Sequence, residues 1–464
     1  MKYINEPIIE ELLTHAENVK PTEIDAILEK SKSLQRLSLS ETAALLMVQD
    51  PIYIKKIFDA AAYVKESIYG KRVVLFAPLY ISNYCSNSCL YCAFKADNKL
   101  VKRKALSTDE IKQQVEWLLK RGHKRILLVA GESKPAGVES LIDYYVNSIK
   151  AVYSASAGPH KIRRANINCA PLSVEEFKQL KAAGIGTFQI FQETYHEKTY
   201  HYVHPKGPKS DPDNRVDAID RAFMAGIDDV GIGVLYGLYD YRFDTLAMLM
   251  HIEALEKKFN VGPHTISVPR IEPALGVEFT KNIPHQVSDM DFKKLVAILR
   301  LSVPYTGMIL STRETATMRD ELVNLGISQI SAESSTAPGG YSDAQRDKNS
   351  DPQFAVSDHR SLDEIIGSLI NQQYIPSFCA ACYRKERTGE TFMALAKPGT
   401  IKGKCSMNAL ITLKEYLDDF ASDKVRTEGY KLIEKMKSCL SDSEQKQLAA
   451  FFDEINHGIR DAYV

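Results

Sequence analysis

Eight short apolar runs, each followed by an amphipathic or turn-rich segment, constrain the fold of this chain more than any other feature. They occupy residues 73–79, 125–130, 164–168, 187–191, 229–235, 265–269, 308–311 and 327–331. Runs of this length between helical segments read as buried strands. Helical periodicity appears at 173–183, 214–225, 243–258, 288–301 and 314–325, and Ser107-Thr-Asp-Glu caps another helix that ends near Gly122. Eight β/α units are the count of a closed (β/α)₈ barrel of the TIM type. An open doubly wound sheet shares the alternation and stands as the alternative. Residues 1–70 read as a polar-faced helical extension, with helices at 22–33 and 40–49 that start beside Pro21 and at Ser40-Glu41. The expected division is an extension over 1–70, the barrel over 71–375 and a mainly helical region over 376–464. Turn-rich loops are expected at 205–214 and 336–352.

The eight cysteines of the 464 residues fall mainly into two triplets. Cys85, Cys89 and Cys92 directly follow the first apolar run, where a barrel places its chemistry. Three thiolates can hold three irons of a [4Fe–4S] cube and leave the fourth iron open, whereas an electron-carrying cluster usually has four cysteines. A zinc site lacking a ligand, or three unrelated thiols, are the plainer readings. Cys379-Ala-Ala-Cys382, with Cys405 after a further twenty-two residues, is a second triplet. Alone it would also suit structural zinc or a redox pair. Arg384, Lys385, Arg387 and Lys397 between these cysteines could offset thiolate charge, or form a solvated basic face. Cys169 and Cys439 are read as packing thiols.

Formal charge balances at 59 basic and 59 acidic residues, so nothing points to nucleic acid. No stretch approaches the ~18 apolar residues that span a bilayer, and the first residues lack an apolar signal core. A cytoplasmic protein without membrane contact is the expectation.

Other polar residues sit at strand ends. Gln192 and Glu193 close the fourth run, and Arg270 and Arg313 close the sixth and seventh. The two carboxyl-end side chains suit ligand contact, and a guanidinium holds a carboxylate by two parallel hydrogen bonds. Solvated loops and surface ion pairs are the bland alternatives. Alternation places Gln189 and Phe191 on one face of the fourth run and Ile190 and Gln192 on the other. His264 precedes the sixth run that Arg270 ends. Six residues at ~3.3 Å each put it roughly 20 Å away, at the opposite mouth.

The CxxxCxxC spacing, with Tyr91 before its last cysteine, resembles the radical S-adenosylmethionine (SAM) superfamily. Ala130-Gly131-Glu132 resembles that superfamily's Gly-Gly-Glu motif, whose carbonyls receive the SAM amino group, with Ala130 in place of the first glycine. Both triplets together resemble the HydG family of tyrosine lyases, which act in [FeFe]-hydrogenase maturation. Supporting stretches are Phe76 to Cys85, Phe191 to His196, His264 to Arg270, Leu310 to Glu314 and Cys382 to Gly389, within a likeness covering about residues 35–440. Departures are Ala130, Met407 where proline is expected, and Glu333 where a smaller residue is expected.

The resemblance implies a SAM-binding [4Fe–4S] cluster on Cys85, Cys89 and Cys92, with Tyr91, Gly131 and Glu132 beside the cofactor. It implies tyrosine cleavage to p-cresol and dehydroglycine, and conversion of the latter to carbon monoxide and cyanide. That conversion would occur at an auxiliary [4Fe–4S] cluster on Cys379, Cys382 and Cys405. This cluster carries a labile iron, held with help from His264 and liganded by cysteine. An external electron donor and downstream maturation proteins are the implied partners. A narrow channel is expected to join the two mouths. A tyrosine lyase feeding thiazole synthesis is the rival reading, and a non-catalytic iron–sulfur carrier is the third.

Overall fold

Strand pairing settles the architecture. The computed structural model describes residues 1–341 and 351–464; the middle of the loop expected at 336–352 lies outside them. Eight parallel strands pair in chain order: β1 (Arg72–Ser82), β2 (Arg125–Ala130), β3 (Arg164–Asn168), β4 (Phe188–Gln189), β5 (Val230–Gly233), β6 (Thr265–Ser267), β7 (Gly307–Leu310) and β8 (Gln329–Ser331). β8 returns to β1, with Val74 opposite Gln329 and Phe76 opposite Ser331. That pairing closes a (β/α)₈ barrel and removes the open-sheet alternative. The strands read as apolar runs because helices cover their outer face while the barrel encloses the other.

Most boundaries fall within a few residues of expectation. β4 is shorter than the expected 187–191, yet the ladder continues past it through Ile190 N–H to the Gly231 carbonyl (3.0 Å) and Gln192 N–H to the Gly233 carbonyl (3.1 Å). A ninth strand, β9 (Ile375–Ser377), pairs with the start of β1, Arg72 lying opposite Ile375. Three residues around a proline carry no strand signal in the sequence.

Four helices precede the barrel: Glu6–Ala16, Pro21–Lys32, Leu39–Met47 and Pro51–Tyr69. The third starts from Ser38 rather than Ser40, because Ser38 Oγ accepts the Glu41 N–H (3.2 Å) while Glu41 accepts the Ser38 N–H (2.7 Å). The fourth buries Ile57, Ala60, Ala61, Val64 and Ile68, a stripe at three- and four-residue spacing. After β9 come helices Ala381–Arg384, Gly389–Ala396, Ile401–Asp419, Asp423–Lys437 and Asp442–Asn456. Ile401–Asp419 packs on both β9 and Pro51–Tyr69, fixing the second cysteine region to the barrel. Among the described residues, no helix is long and apolar enough to cross a membrane.

Candidate active site and a second thiol site

Cys85, Cys89 and Cys92 lie in the loop that leaves β1, at the mouth formed by the strands' carboxyl ends. They line a cavity of about 170 Å³ together with Tyr91, Gly131, Glu132, Glu193, Lys209, Arg215 and Arg313. Cys89 is buried, and Cys85 and Cys92 are partly exposed. Asn87 organises the loop: its amide donates to Glu132 Oε2 (2.9 Å) and lies 3.7 Å from Cys85 Sγ, while its oxygen accepts the Lys209 N–H (2.8 Å). The Tyr91 hydroxyl meets His204 Nε2 at 2.7 Å.

Gly131 explains how the second motif tolerates Ala130. A Cβ built on Gly131 would stand 2.2 Å from the Tyr84 carbonyl oxygen, so only glycine fits where β2's end approaches the cysteine loop. Its N–H donates to the Ser82 carbonyl (2.8 Å). Ala130, the last residue of β2, is only partly buried and keeps its place in the ladder opposite Ser82.

Charge is concentrated around Glu132. Burial opposes its ionisation, but Arg215 (2.8 Å) and Lys209 outweigh that, holding its pKa below the ordinary carboxylate value. Lys209 donates to Glu193 at 2.6 Å. Against burial and the repulsion of Arg215, Glu193 helps hold the Lys209 ammonium above its ordinary range. Glu193 adopts φ +74°, a left-handed conformation uncommon outside glycine and a form of strain that clusters at ligand sites. Arg215 and Lys209 were not singled out from the sequence. The available signal was Arg215 on the stripe of Ile219 and Ala222 in helix Pro212–Met224, a charge among apolar positions.

Two expected site residues lie off this cavity. Gln192 turns away from the cavity and donates to the Pro212 carbonyl (3.2 Å), because strand alternation sends Gln189, Phe191 and Glu193 inward instead. Arg270 is already engaged by Glu314 (2.9 Å), Asp289 (2.8 Å) and the Val287 carbonyl (3.0 Å), and does not line the cavity. Arg313 does line it. Burial lowers its pKa, its guanidinium lies 3.3 Å from the Phe354 ring centre, and it has no carboxylate within 4.0 Å among the described residues. Glu333 also turns out, toward Arg121 (3.5 Å) and His123 (3.8 Å), so the bulk expected to alter substrate fit lies off the cavity.

At the opposite mouth, Cys379, Cys382 and Cys405 line a second cavity of about 50 Å³ with His264, Arg72, Arg125, Tyr383 and Phe392. β9 and the short helix after it deliver the CxxC pair; helix Ile401–Asp419 delivers Cys405. Met407, at the position expected to be proline, is buried within that helix. Among the cations expected from the intervening sequence, Arg387 does oppose the rise of the Cys382 and Cys405 thiols, and Arg72 joins it from outside that stretch. Arg384 pairs with Asp461 (2.6 Å) and Arg387 donates to the Val464 carbonyl (2.8 Å), whereas Arg72 and Arg125 open β1 and β2 and line the cavity. Against burial, Cys405 and Tyr69 raise the Arg72 pKa.

Each triplet brings three thiols to one cavity, the donor chemistry of an iron–sulfur cluster, while among the described residues no three Cys, His, Asp or Glu side chains are grouped to hold a single metal ion. Burial pushes the Cys92 thiol up to about 11 and the Cys382 thiol up to about 12, with neighbouring cysteines adding to each rise. Three thiolates lining one cavity therefore need a cationic centre to stay ionised. The buried Gln189 Oε1 and Ser334 Oγ have no hydrogen-bond partner and line the upper cavity, as polar groups shaped for a bound molecule would.

The radical SAM superfamily matches residues 79–251, and the Biotin and Thiamin Synthesis associated domain matches residues 267–375. A crystal structure of HydG, a maturase of the [FeFe]-hydrogenase, is 47% identical with TM-score 0.95 and covers 100% of both chains. The chain belongs to the HydG family. HydG from Carboxydothermus hydrogenoformans is 39% identical, with TM-score 0.83, over 96% of this chain and 98% of that one. The 2-iminoacetate synthase of Salmonella typhimurium is 33% identical over 76% of this chain and 89% of its own length. As a HydG-family protein the chain is a radical SAM enzyme, and its family carries a SAM-binding [4Fe–4S] cluster and an auxiliary cluster.

Proposed function

We propose that this enzyme is a tyrosine lyase that splits L-tyrosine into p-cresol and dehydroglycine, then turns the latter into carbon monoxide and cyanide for a hydrogenase iron precursor. The observation carrying this reading is the pair of three-thiol sites at opposite mouths of one barrel. Val74, Gly307 and Gln329 line the lower cavity, and Phe76, Ile309 and Ser331 line the upper one. Each upper residue is two positions further along the same strand, so the cavities are lined by successive inward layers about 6.6 Å apart. The structure thus describes two cavities one layer apart, where a channel was expected.

Cys85, Cys89 and Cys92 would hold the first cube, and Cys379, Cys382 and Cys405 the second. When bound, the first cluster and SAM supply the 5′-deoxyadenosyl radical that starts cleavage. Gly131 and Glu132 offer carbonyls to the SAM amino group, beside Tyr91, while Arg215 and Lys209 keep Glu132 ionised and fixed. Arg313, whose guanidinium donates to the Arg270 carbonyl (3.4 Å) but meets no carboxylate among the described residues, orients the tyrosine carboxylate. Glu193 fixes Lys209 in the cavity wall, and the surrounding Phe76, Phe191 and Phe354 exclude water from the reacting bond. His264 would help hold the labile iron, with cysteine as its further ligand. An external donor supplies electrons, downstream maturation proteins accept the iron product, and the setting is cytoplasmic. Residues 1–70, 71–375 and 376–464 serve as extension, barrel and auxiliary-cluster region.

Anaerobically reconstituted protein should yield p-cresol, cyanide and carbon monoxide from tyrosine, SAM and reductant. Cys379→Ala/Cys382→Ala should keep p-cresol and lose both diatomics. Production of p-cresol and dehydroglycine alone by the wild type would instead identify a thiazole-pathway lyase.

A further inference from the structure

Asp229 stands one residue before β5, at the mouth carrying the second thiol triplet. Its side chain is 2% exposed, and neither carboxylate oxygen has a hydrogen-bond partner. A buried carboxylate without donors is costly, and native structures rarely keep one without a reason. Among the described residues, no lysine or arginine lies within 4.0 Å of it. The adjacent Asp228 faces the other way, accepting from Thr388 Oγ1 (3.0 Å) and so tying the C-terminal region to the barrel. Alternation then directs Asp229 to the opposite face.

Asp229 faces the His264 imidazole, whose Nδ1 lies 3.7 Å from Oδ2. This is just beyond a hydrogen bond, within reach of a small side-chain rotation. The rest of His264 is fixed. Its N–H donates to the Val230 carbonyl, its carbonyl accepts from Gly307 (both 2.9 Å), and the Phe392 ring centre packs 4.1 Å from its own. Only the imidazole proton's position is left for a neighbour to set. Tyr383, also at this mouth, already has its hydroxyl on Thr187 Oγ1 (3.1 Å).

We propose that Asp229 is the positioning residue for His264: it accepts the Nδ1 proton, which fixes the ring and presents unprotonated Nε2 to the labile iron. This rests on His264 being an iron ligand. A carboxylate behind a metal-bound histidine sets its tautomer and raises its basicity, and losing such a partner weakens metal binding about 10–100-fold.

The test is chelator competition for iron in the reconstituted full chain, counting iron retained per chain and following p-cresol separately. Asp229→Ala should release the labile iron at about 10–100-fold lower chelator concentration, with both cubes and p-cresol formation retained. Asp229→Asn, which keeps an acceptor oxygen of the same size, should recover most of that affinity. Wild-type affinity in Asp229→Ala overturns the proposal, as does equal loss in both variants accompanied by loss of cube iron, which marks a structural role. His264→Ala separates the levels: if it too keeps the labile iron, the underlying assignment of His264 has failed.

Discussion

Replacing Gly131 by alanine tests whether the end of β2 holds SAM against the cysteine loop. The new Cβ would sit 2.2 Å from the Tyr84 oxygen and 2.8 Å from the Tyr84 carbonyl carbon, both backbone atoms with no rotamer to yield. Reaching the 3.4 Å at which ordinary contact begins requires a shift of about 1.2 Å between β2 and the loop that carries Cys85. A displacement of roughly 1 Å in a catalytic arrangement costs about 10²-fold in rate. The expected result is a p-cresol rate lower by about two orders of magnitude, with the second cluster's iron and the thermal midpoint little changed. Initial rates at saturating tyrosine with varied SAM, alongside iron counts, measure it. A Gly131→Ala enzyme with wild-type rate would refute the argument that this contact sets the site. Loss of iron from both sites would refute its locality.

Three further outcomes follow from the same geometry. Gly307→Leu should fill the lower cavity, where a Cβ already stands 2.8 Å from the flexible end of Gln329. Cyanide and carbon monoxide should fall while p-cresol persists, and equal loss of all three would argue against internal transfer. Arg313→Met removes this guanidinium; a hydrogen bond to a charged group contributes about 1.5–3 kcal/mol, so the tyrosine KM should rise roughly 10- to 150-fold with little change in SAM dependence. Burial raises the Cys92 and Cys382 thiols to about 11 and about 12, above the ~8.5 of an unfolded chain. The folded metal-free protein then binds more protons than the unfolded chain in this window, so its urea midpoint should drop as pH rises from about 8.5 toward about 11. Cluster-loaded protein should lack that decline, and a midpoint rising with pH in the metal-free chain would contradict the sign.

The strands were legible because a closed barrel buries each on both faces, and the thiol triplets because ligand spacing along a loop is a local property. What escaped were contacts made by distant segments. Arg270 reads as a free guanidinium until Glu314 and Asp289 fold against it, and Gln192 reads as a ligand residue until the end of β4 is in register. Arg72 and Arg125 carried a weak signal, each opening an otherwise apolar strand. Their shared mouth with Cys379 appears only once β9 pairs beside β1, a pairing hidden by Pro376. The helical start at Ser38 rather than Ser40 was decided by which serine reaches the Glu41 N–H.

β1 makes the two thiol sites parts of one device. It begins with Arg72 at the second triplet and runs eleven residues to Ser82, three residues before Cys85. At ~3.3 Å per residue its ends are about 33 Å apart. Its interior-facing Val74 and Phe76 pair across to Gln329 and Ser331, so the same register that closes the barrel also stacks the cavities. A one-residue slip of β1 would turn Val74 and Phe76 to the other face and open both sites at once. The layers lining the two cavities carry polar side chains in a barrel interior normally filled by branched aliphatic residues. Gly231 makes room for Thr265 and Gln189, a Cβ there lying 2.6 Å from Thr265 Oγ1 and 2.8 Å from Gln189 Cγ. Thr265 Oγ1 and Gln189 Oε1 are themselves buried without partners. Polar atoms left unpaired along the axis suit the brief passage of a small polar fragment better than they suit packing, and that is the physical reason to expect chemistry at one mouth to feed the other.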